Sequence, residues 1–259
     1  MELSIFQVDA FSNKVFGGNP AAICPLDDWL PDATLQSVAS ENNLAETAYF
    51  VRTGSRYRLR WFTPANEVDL CGHATLASAH ILFTELGETS AALHFDTQSG
   101  ELVVKRDGDL LIMDFPSRPP AAVTVDPAVA PALGGNPREI LAARDYFVVY
   151  ETEEEVRALK PDMEALKRIK TFAFIATARG KDCDFVSRFF APAQGIPEDP
   201  VTGSAHCSLI PYWAGKLGKQ SLHARQISPR GGELFCKLSG DRVEIAGHAV
   251  LYLTGRIWV

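Results

Sequence analysis

The 259-residue chain has no run of basic residues, and its formal net charge is −7. That balance argues against nucleic acid as the main partner, because a phosphate backbone is met with clustered Lys and Arg. No uninterrupted apolar stretch is long enough to span a bilayer, so no membrane role is expected. The opening Met1-Glu2-Leu3-Ser4 lacks the positive n-region of a secretion signal. Cysteine is sparse: Cys24, Cys71, Cys183, Cys207 and Cys236 form an odd, scattered set without a C-x-x-C pair. Such a set does not suggest a disulfide framework and fits reduced thiols better, so a cytoplasmic protein is expected. There is no G-x-G-x-x-G, no Gly-Lys-Ser/Thr and no G-x-S-x-G nucleophile elbow. His73 and His80 lie seven residues apart, and no His/Cys/Asp group has ligand spacing along the chain. Neither a cofactor nor a metal is therefore expected.

What the chain does contain is a repeat. Arg60-Trp61-Phe62-Thr63-Pro64-Ala65-Asn66 parallels Arg188-Phe189-Phe190-Ala191-Pro192-Ala193-Gln194. Each segment leads into a glycine turn, Cys71-Gly72-His73 or Thr202-Gly203-Ser204, and 15 residues after each turn glycine comes Leu86-Gly87 or Leu217-Gly218. Gly100 to Asp109 then aligns without gaps on Gly232 to Asp241, with six of ten positions identical. Three matches in one order point to two similar domains from a duplication. A hydrophobic content of 46% supplies an ordinary core for both.

Each copy reads as strands around one helix. Tyr57 to Phe62 alternates like a half-buried strand. Ala74 to Leu86 is apolar nearly all round, the pattern of a buried helix. Short strands follow over 101–106 and 110–115, with partners over 233–238 and 242–246. Pro211 should kink or limit the second helix. The proline-rich stretch Pro116 to Pro137 reads as the linker. The expected fold is α+β, with two pseudo-symmetric domains, each a mostly antiparallel sheet or barrel wrapped around a central helix. The domains span 1–117 and 118–251.

The glycine turns are the first candidates for chemistry. If the halves are related by a pseudo-two-fold, Gly72 and Gly203 occupy equivalent places at helix starts. Free N–H groups and a partial positive charge there suit a carboxylate. Cys71 could ionise and His73 could act as acid or base; the plainer alternative is a capped helix with a buried thiol. Thr202 or Ser204 could simply cap a helix. Asn19, in Gly17-Gly18-Asn19-Pro20, could reach a ligand, although a turn is the default. Glu46, after a helical stretch over 35–41, by itself reads as a solvated surface residue.

Several segments together resemble the PhzF-like (phenazine biosynthesis) isomerase family. They are Val8-Asp9-Ala10-Phe11 through Gly17-Gly18-Asn19-Pro20-Ala21-Ala22, Asn43-Leu44-Ala45-Glu46-Thr47, Arg60-Trp61-Phe62-Thr63-Pro64, Cys71-Gly72-His73-Ala74-Thr75 and Glu198-Asp199-Pro200-Val201-Thr202-Gly203-Ser204-Ala205. The resemblance covers essentially the whole chain. It implies the diaminopimelate-epimerase-like fold, an active site between the domains, a final strand over 252–259 that returns to the first domain, and a homodimer.

It also separates two mechanisms. Two-base racemases and epimerases of that fold use one cysteine on each turn. Here Cys71 fills the first position, but the second falls on Thr202, whose hydroxyl is too weak an acid for the role. The resemblance instead implies Glu46 as general acid/base, with His73 and Asp199 assisting and Asn19, Cys71, Gly72, Thr202, Gly203 and Ser204 around the substrate. The expected activity is a cofactor-independent proton shift between carbons of a small carboxylic acid. The alternatives are a cysteine-assisted racemase or epimerase and a member that only binds a metabolite.

Overall fold

A computed structural model describes all residues, Met1–Val259. The chain divides into two compact units, Met1–Asp114 with Ala246–Val259, and Phe115–Ile245. The first unit runs β1 (Glu2–Ala10), β2 (Asn19–Leu26), α1 (Asp32–Asn42), β3 (Glu46–Thr53), β4 (Arg56–Phe62), β5 (Glu67–Val68), α2 (Gly72–Thr84), β6 (Ala92–Thr97), β7 (Gly100–Asp107) and β8 (Leu110–Pro116). The second runs β9 (Ala121–Ala122), α3 (Val129–Leu133), β10 (Glu139–Ala142), β11 (Tyr146–Val149), α4 (Glu153–Ala158), α5 (Met163–Arg168), β12 (Phe174–Arg179), β13 (Phe185–Ala191), β14 (Ile196–Asp199), α6 (Gly203–Leu217), β15 (Ser221–Gln226), β16 (Gly232–Ser239) and β17 (Arg242–Gly247). The last strand, β18 (Ala249–Trp258), lies antiparallel along β1, from Glu2↔Trp258 to Ala10↔Ala249. No helix is long and apolar enough to cross a membrane.

The α+β class is as the sequence indicates, and the repeat is visible in the pairing. In the first unit β1–β2 is antiparallel, β2–β3 parallel, β3–β4 antiparallel, β4–β6 parallel and β6–β7 antiparallel. In the second, β10–β11, β11–β12, β12–β13, β13–β15 and β15–β16 repeat that order of directions. The likeness reaches side chains. Arg60 binds Glu67 with two parallel bonds of 2.7 and 2.8 Å, and Arg188 binds Glu198 with bonds of 2.7 and 2.9 Å. Each guanidinium also lies over the ring two residues on, Phe62 at 5.1 Å and Phe190 at 4.9 Å. A forked, partly buried pair of this kind fixes geometry as well as adding energy.

The central helices follow from composition. In α2, Leu76, Ala77, Ala79, Ile81, Leu82 and Phe83 are all buried, and the helix packs against β1, β2, β3, β7 and β18. Each large side chain so removed from water contributes roughly 1.5–3 kcal/mol. α6 packs on β15 and β16 and is anchored by Trp213, whose Nε1 donates to Thr177 Oγ1 at 2.9 Å.

Two sequence expectations need correction. Pro211 does not end or divide its helix: α6 continues from Gly203 to Leu217. Proline removes the N–H that would have bonded the Cys207 carbonyl one turn earlier. That carbonyl accepts instead from the Arg118 backbone N–H at 2.8 Å. The stretch 116–137 is likewise more than a linker. It carries α3, whose Val129, Ala132 and Leu133 are buried in the core of the second unit with Val148, Phe174 and Phe190.

Candidate active site

Three short connections of the first unit deliver four polar side chains to one place. Asn19 is the first residue of β2, and Glu46 the first of β3; the two strands run parallel, with Ala21 opposite Glu46. Cys71 is the N-cap residue of α2 in extended conformation (φ −144°, ψ 105°), and His73 stands in the first turn. His73 Nε2 lies 3.0 Å from Glu46 Oε2. His73 Nδ1 lies 3.2 Å from Asn19 Nδ2, an amide whose oxygen accepts from a protonated ring once the side chain is turned, and 3.5 Å from Cys71 Sγ; the same sulfur lies 4.0 Å from Nε2. All four residues are buried, Asn19 completely and Glu46 to 8% exposure. The Glu46–His73 contact is an ion pair by distance, while Oε2 receives no well-aligned hydrogen bond.

Burial alone disfavours a charged His73. The acidic neighbours Cys71 and Glu46 outweigh it and raise its pKa well above that of an ordinary imidazole. Burial also pushes the Cys71 thiol up to about 11. Burial thus disfavours the Cys71 thiolate, and the nearest carboxylate to the ring is that of Glu46, 3.0 Å from Nε2.

A pH dependence of stability follows. Folding favours the imidazolium, so its contribution is complete below the unfolded value of about 6.5 and is lost as pH rises through the higher folded value. Urea unfolding at about pH 6 and about pH 9 should show wild type losing more stability on alkalinisation than His73→Gln. Equal losses in the two proteins would contradict the pairing.

The second glycine turn repeats the backbone of the first but not its chemistry. Thr202 is the N-cap of α6 with φ −118° and ψ 100°, and like Cys71 it makes no side-chain cap bond. The capping role considered for Thr202 is thus not realised. Its hydroxyl donates to Asp199 Oδ2 at 2.5 Å. Gln226 braces the turn: its Oε1 accepts from Thr202 N at 2.9 Å, and its Nε2 donates to the Asp199 carbonyl at 2.8 Å. Ser204 Oγ accepts from Arg144 Nη2 at 3.2 Å. Gly203, buried, opens the helix.

The first unit thus gathers Asn19, Glu46, Cys71 and His73, with Gly72 between the last two. The second gathers Asp199 and Thr202, beside Gly203 and Ser204. Gln226 and Arg144 were missed by sequence reasoning. Gln226 left a signal: along β15 the inward positions are Leu222, Ala224 and Gln226, so a polar residue stands where the alternation calls for an apolar one. Spacing along the chain shows no metal-ligand group, yet three candidate donors meet in space. One ligand atom from each of Glu46, Cys71 and His73 lies within 4.8 Å of the others. Glu46 reaches the cluster through strand pairing, which spacing along the chain does not reveal.

A family model described as phenazine biosynthesis-like protein (PhzC-PhzF) matches residues 8–255. The chain is 55% identical over 258 residues to an uncharacterized isomerase of Pseudomonas aeruginosa, covering 99% of each chain. A crystal structure of a phenazine biosynthesis protein of the PhzF family from Enterococcus faecalis superposes with a TM-score of 0.98 at 46% identity, over 100% of each chain. A hydroxyproline epimerase from Agrobacterium vitis shares the fold alone, with a TM-score of 0.63 at 11% identity, over 99% of this chain and 92% of that one.

Proposed function

This chain belongs to the phenazine biosynthesis-like (PhzC-PhzF) family, and from that membership we propose that it is an isomerase that moves a proton between carbons of a small carboxylic acid. The observation that carries the proposal is the buried Glu46–His73 pair at 3.0 Å. Glu46 takes a proton from one carbon and delivers it to another as the double bond shifts. Nothing is oxidised or reduced overall, so the reaction needs no electron carrier. His73 keeps a positive charge beside the carboxylate, holds it in place and is set to relay the proton. Cys71 and Asn19 complete the wall.

The carboxylate of the substrate is assigned to the glycine turn that opens α2. The first N–H groups of any helix lack partners within it, and Cys71 supplies none from its side chain. Backbone donors aimed at developing negative charge are commonly worth about 3–4 kcal/mol each in a transition state. In the second unit the matching turn carries Asp199, tied to Thr202, and Ser204, bound by Arg144. The test is uptake of solvent deuterium into candidate acids by wild type and Glu46→Gln.

One contact favours a second reading, a cysteine-assisted racemase or epimerase: Cys71 Sγ lies 3.5 Å from His73 Nδ1. Two others speak for Glu46 instead. Burial disfavours the Cys71 thiolate, and the hydroxyl at the matching position, Thr202, is bound to Asp199. Cys71→Ala is expected to lower the exchange rate by less than about tenfold, well short of the loss typical for a removed general acid/base. A loss of about a thousandfold or more would transfer the role to the thiol.

A further inference from the structure

The same three side chains that surround the proposed proton path have the chemistry of a soft-metal site. We propose that Glu46 Oε2, Cys71 Sγ and His73 Nε2 together bind one thiophilic divalent cation, zinc foremost, and that such an ion switches the isomerase off. The site goes beyond the proton-shift reading; only its inhibitory consequence rests on it.

Geometry comes first. Ligands at ordinary zinc distances stand about 3.4–3.6 Å apart across a tetrahedron. Here Nε2 and Oε2 are 3.0 Å apart, Sγ and Nε2 are 4.0 Å apart, and no pair in the cluster exceeds 4.8 Å. Side-chain shifts of about 1 Å close the triangle around an ion. The ion would enter where the His73 proton now faces Glu46. Glu46 Oε2 is buried there without an aligned hydrogen bond, so coordination would satisfy an atom that the fold leaves short. Three protein ligands leave the fourth position of the tetrahedron open to water or to a carboxylate.

Charge comes second. A thiolate, a carboxylate and a neutral imidazole around a divalent cation sum to zero. A neutral assembly is what a buried site tolerates, since an uncompensated charge there is costly. Coordination itself removes the thiol proton. Asn19 serves as the outer support: with Nε2 on the ion, the Nδ1–H of His73 donates to the amide oxygen after a turn of the side chain that now places Nδ2 at 3.2 Å. Selectivity follows from the donors. One carboxylate cannot build the six-to-eight-oxygen shell of calcium or the octahedral shell of magnesium, whereas sulfur and imidazole suit zinc and cobalt.

The test uses the full chain, stripped with a chelator and titrated with cobalt(II). The expected result is one cobalt per chain, with intense visible bands of a tetrahedral ion and a thiolate-to-cobalt charge-transfer band in the near ultraviolet, both lost on adding zinc. Cys71→Ser should lose the charge-transfer band and Cys183→Ser should keep it; Glu46→Gln should weaken binding by tenfold or more. Circular dichroism confirms that each variant is folded. Magnesium and calcium should leave the spectrum unchanged. No charge-transfer band at one equivalent, or a band that survives in Cys71→Ser, overturns the site. In the deuterium assay, zinc should stop exchange and a chelator should restore it. If wild type shows no exchange at all, the proton-shift reading fails, but the cobalt titration still decides the metal site.

Discussion

Glu46→Gln should slow incorporation of solvent deuterium by about 10²–10⁴-fold, the span typical of a removed general acid/base. In barrier height that is roughly 3–5.5 kcal/mol. The amide has the size of the carboxylate and keeps an oxygen for His73, so substrate contacts are largely preserved. What it loses is the ability to accept a proton. Stability should suffer far less than activity. Removing one partner of a buried ion pair costs about 3–5 kcal/mol when the other is left charged. His73, however, can release its proton and become neutral, which limits that cost. Glu46→Gln should therefore fold, and its His73 should titrate lower than in wild type, a shift that NMR of the imidazole would report. Undiminished exchange in a folded Glu46→Gln protein would remove Glu46 from the mechanism. Wild type inert toward every acid tried, yet stabilised by some of them in thermal shift, would favour a member that only binds its ligand.

The duplication was legible because it is written in local pattern. The matched strands 100–107 and 232–239 and the two apolar helices carry their periodicity in adjacent residues. Glu67 and Glu198 stand five residues before Gly72 and Gly203, so even the two forked Arg–Glu pairs could have been inferred. The second copy has three more residues between its Arg and its Glu, and the short 3-10 helix Pro192–Gln194 lies there. Glu46 was legible only through family resemblance. A carboxylate after a surface helix gives no local sign of burial; what buries it is the pairing of β3 with β2 and the packing of α2 against both. The cluster with Cys71 and His73 escaped for the same reason, since Glu46 stands 25 residues before the nearer of them along the chain. Gln226 escaped differently: its partners Asp199 and Thr202 lie on another element, and only the break in the inward alternation of β15 marked it.

Gly18→Ala should destabilise the protein by about 2–5 kcal/mol, combining left-handed strain at a non-glycine residue with overpacking. The turn from β1 to β2 brings Asn19 to His73, and Gly18 is its last residue, at φ +63°. A Cβ there would stand 2.1 Å from the Ala10 carbonyl oxygen and 3.0 Å from its carbon. Those are backbone atoms of a buried strand residue, paired in register with Asn19, so they cannot swing aside as a side chain can. Either the turn opens, pulling Asn19 from the ring of His73, or β1 shifts against β2. The expected drop in thermal midpoint is about 5–15 °C. Gly17→Ala is the internal control. Its Cβ would meet the Ser12 hydroxyl oxygen at 2.8 Å, the end of a side chain that can rotate away, so a loss of about 1 kcal/mol is expected. Because Gly18 touches the fold of the site and not its chemistry, residual exchange per folded molecule should fall less than in Glu46→Gln. A Gly18→Ala protein that melts with wild type would show that the turn does not hold the close approach to Ala10 on which the placement of Asn19 depends.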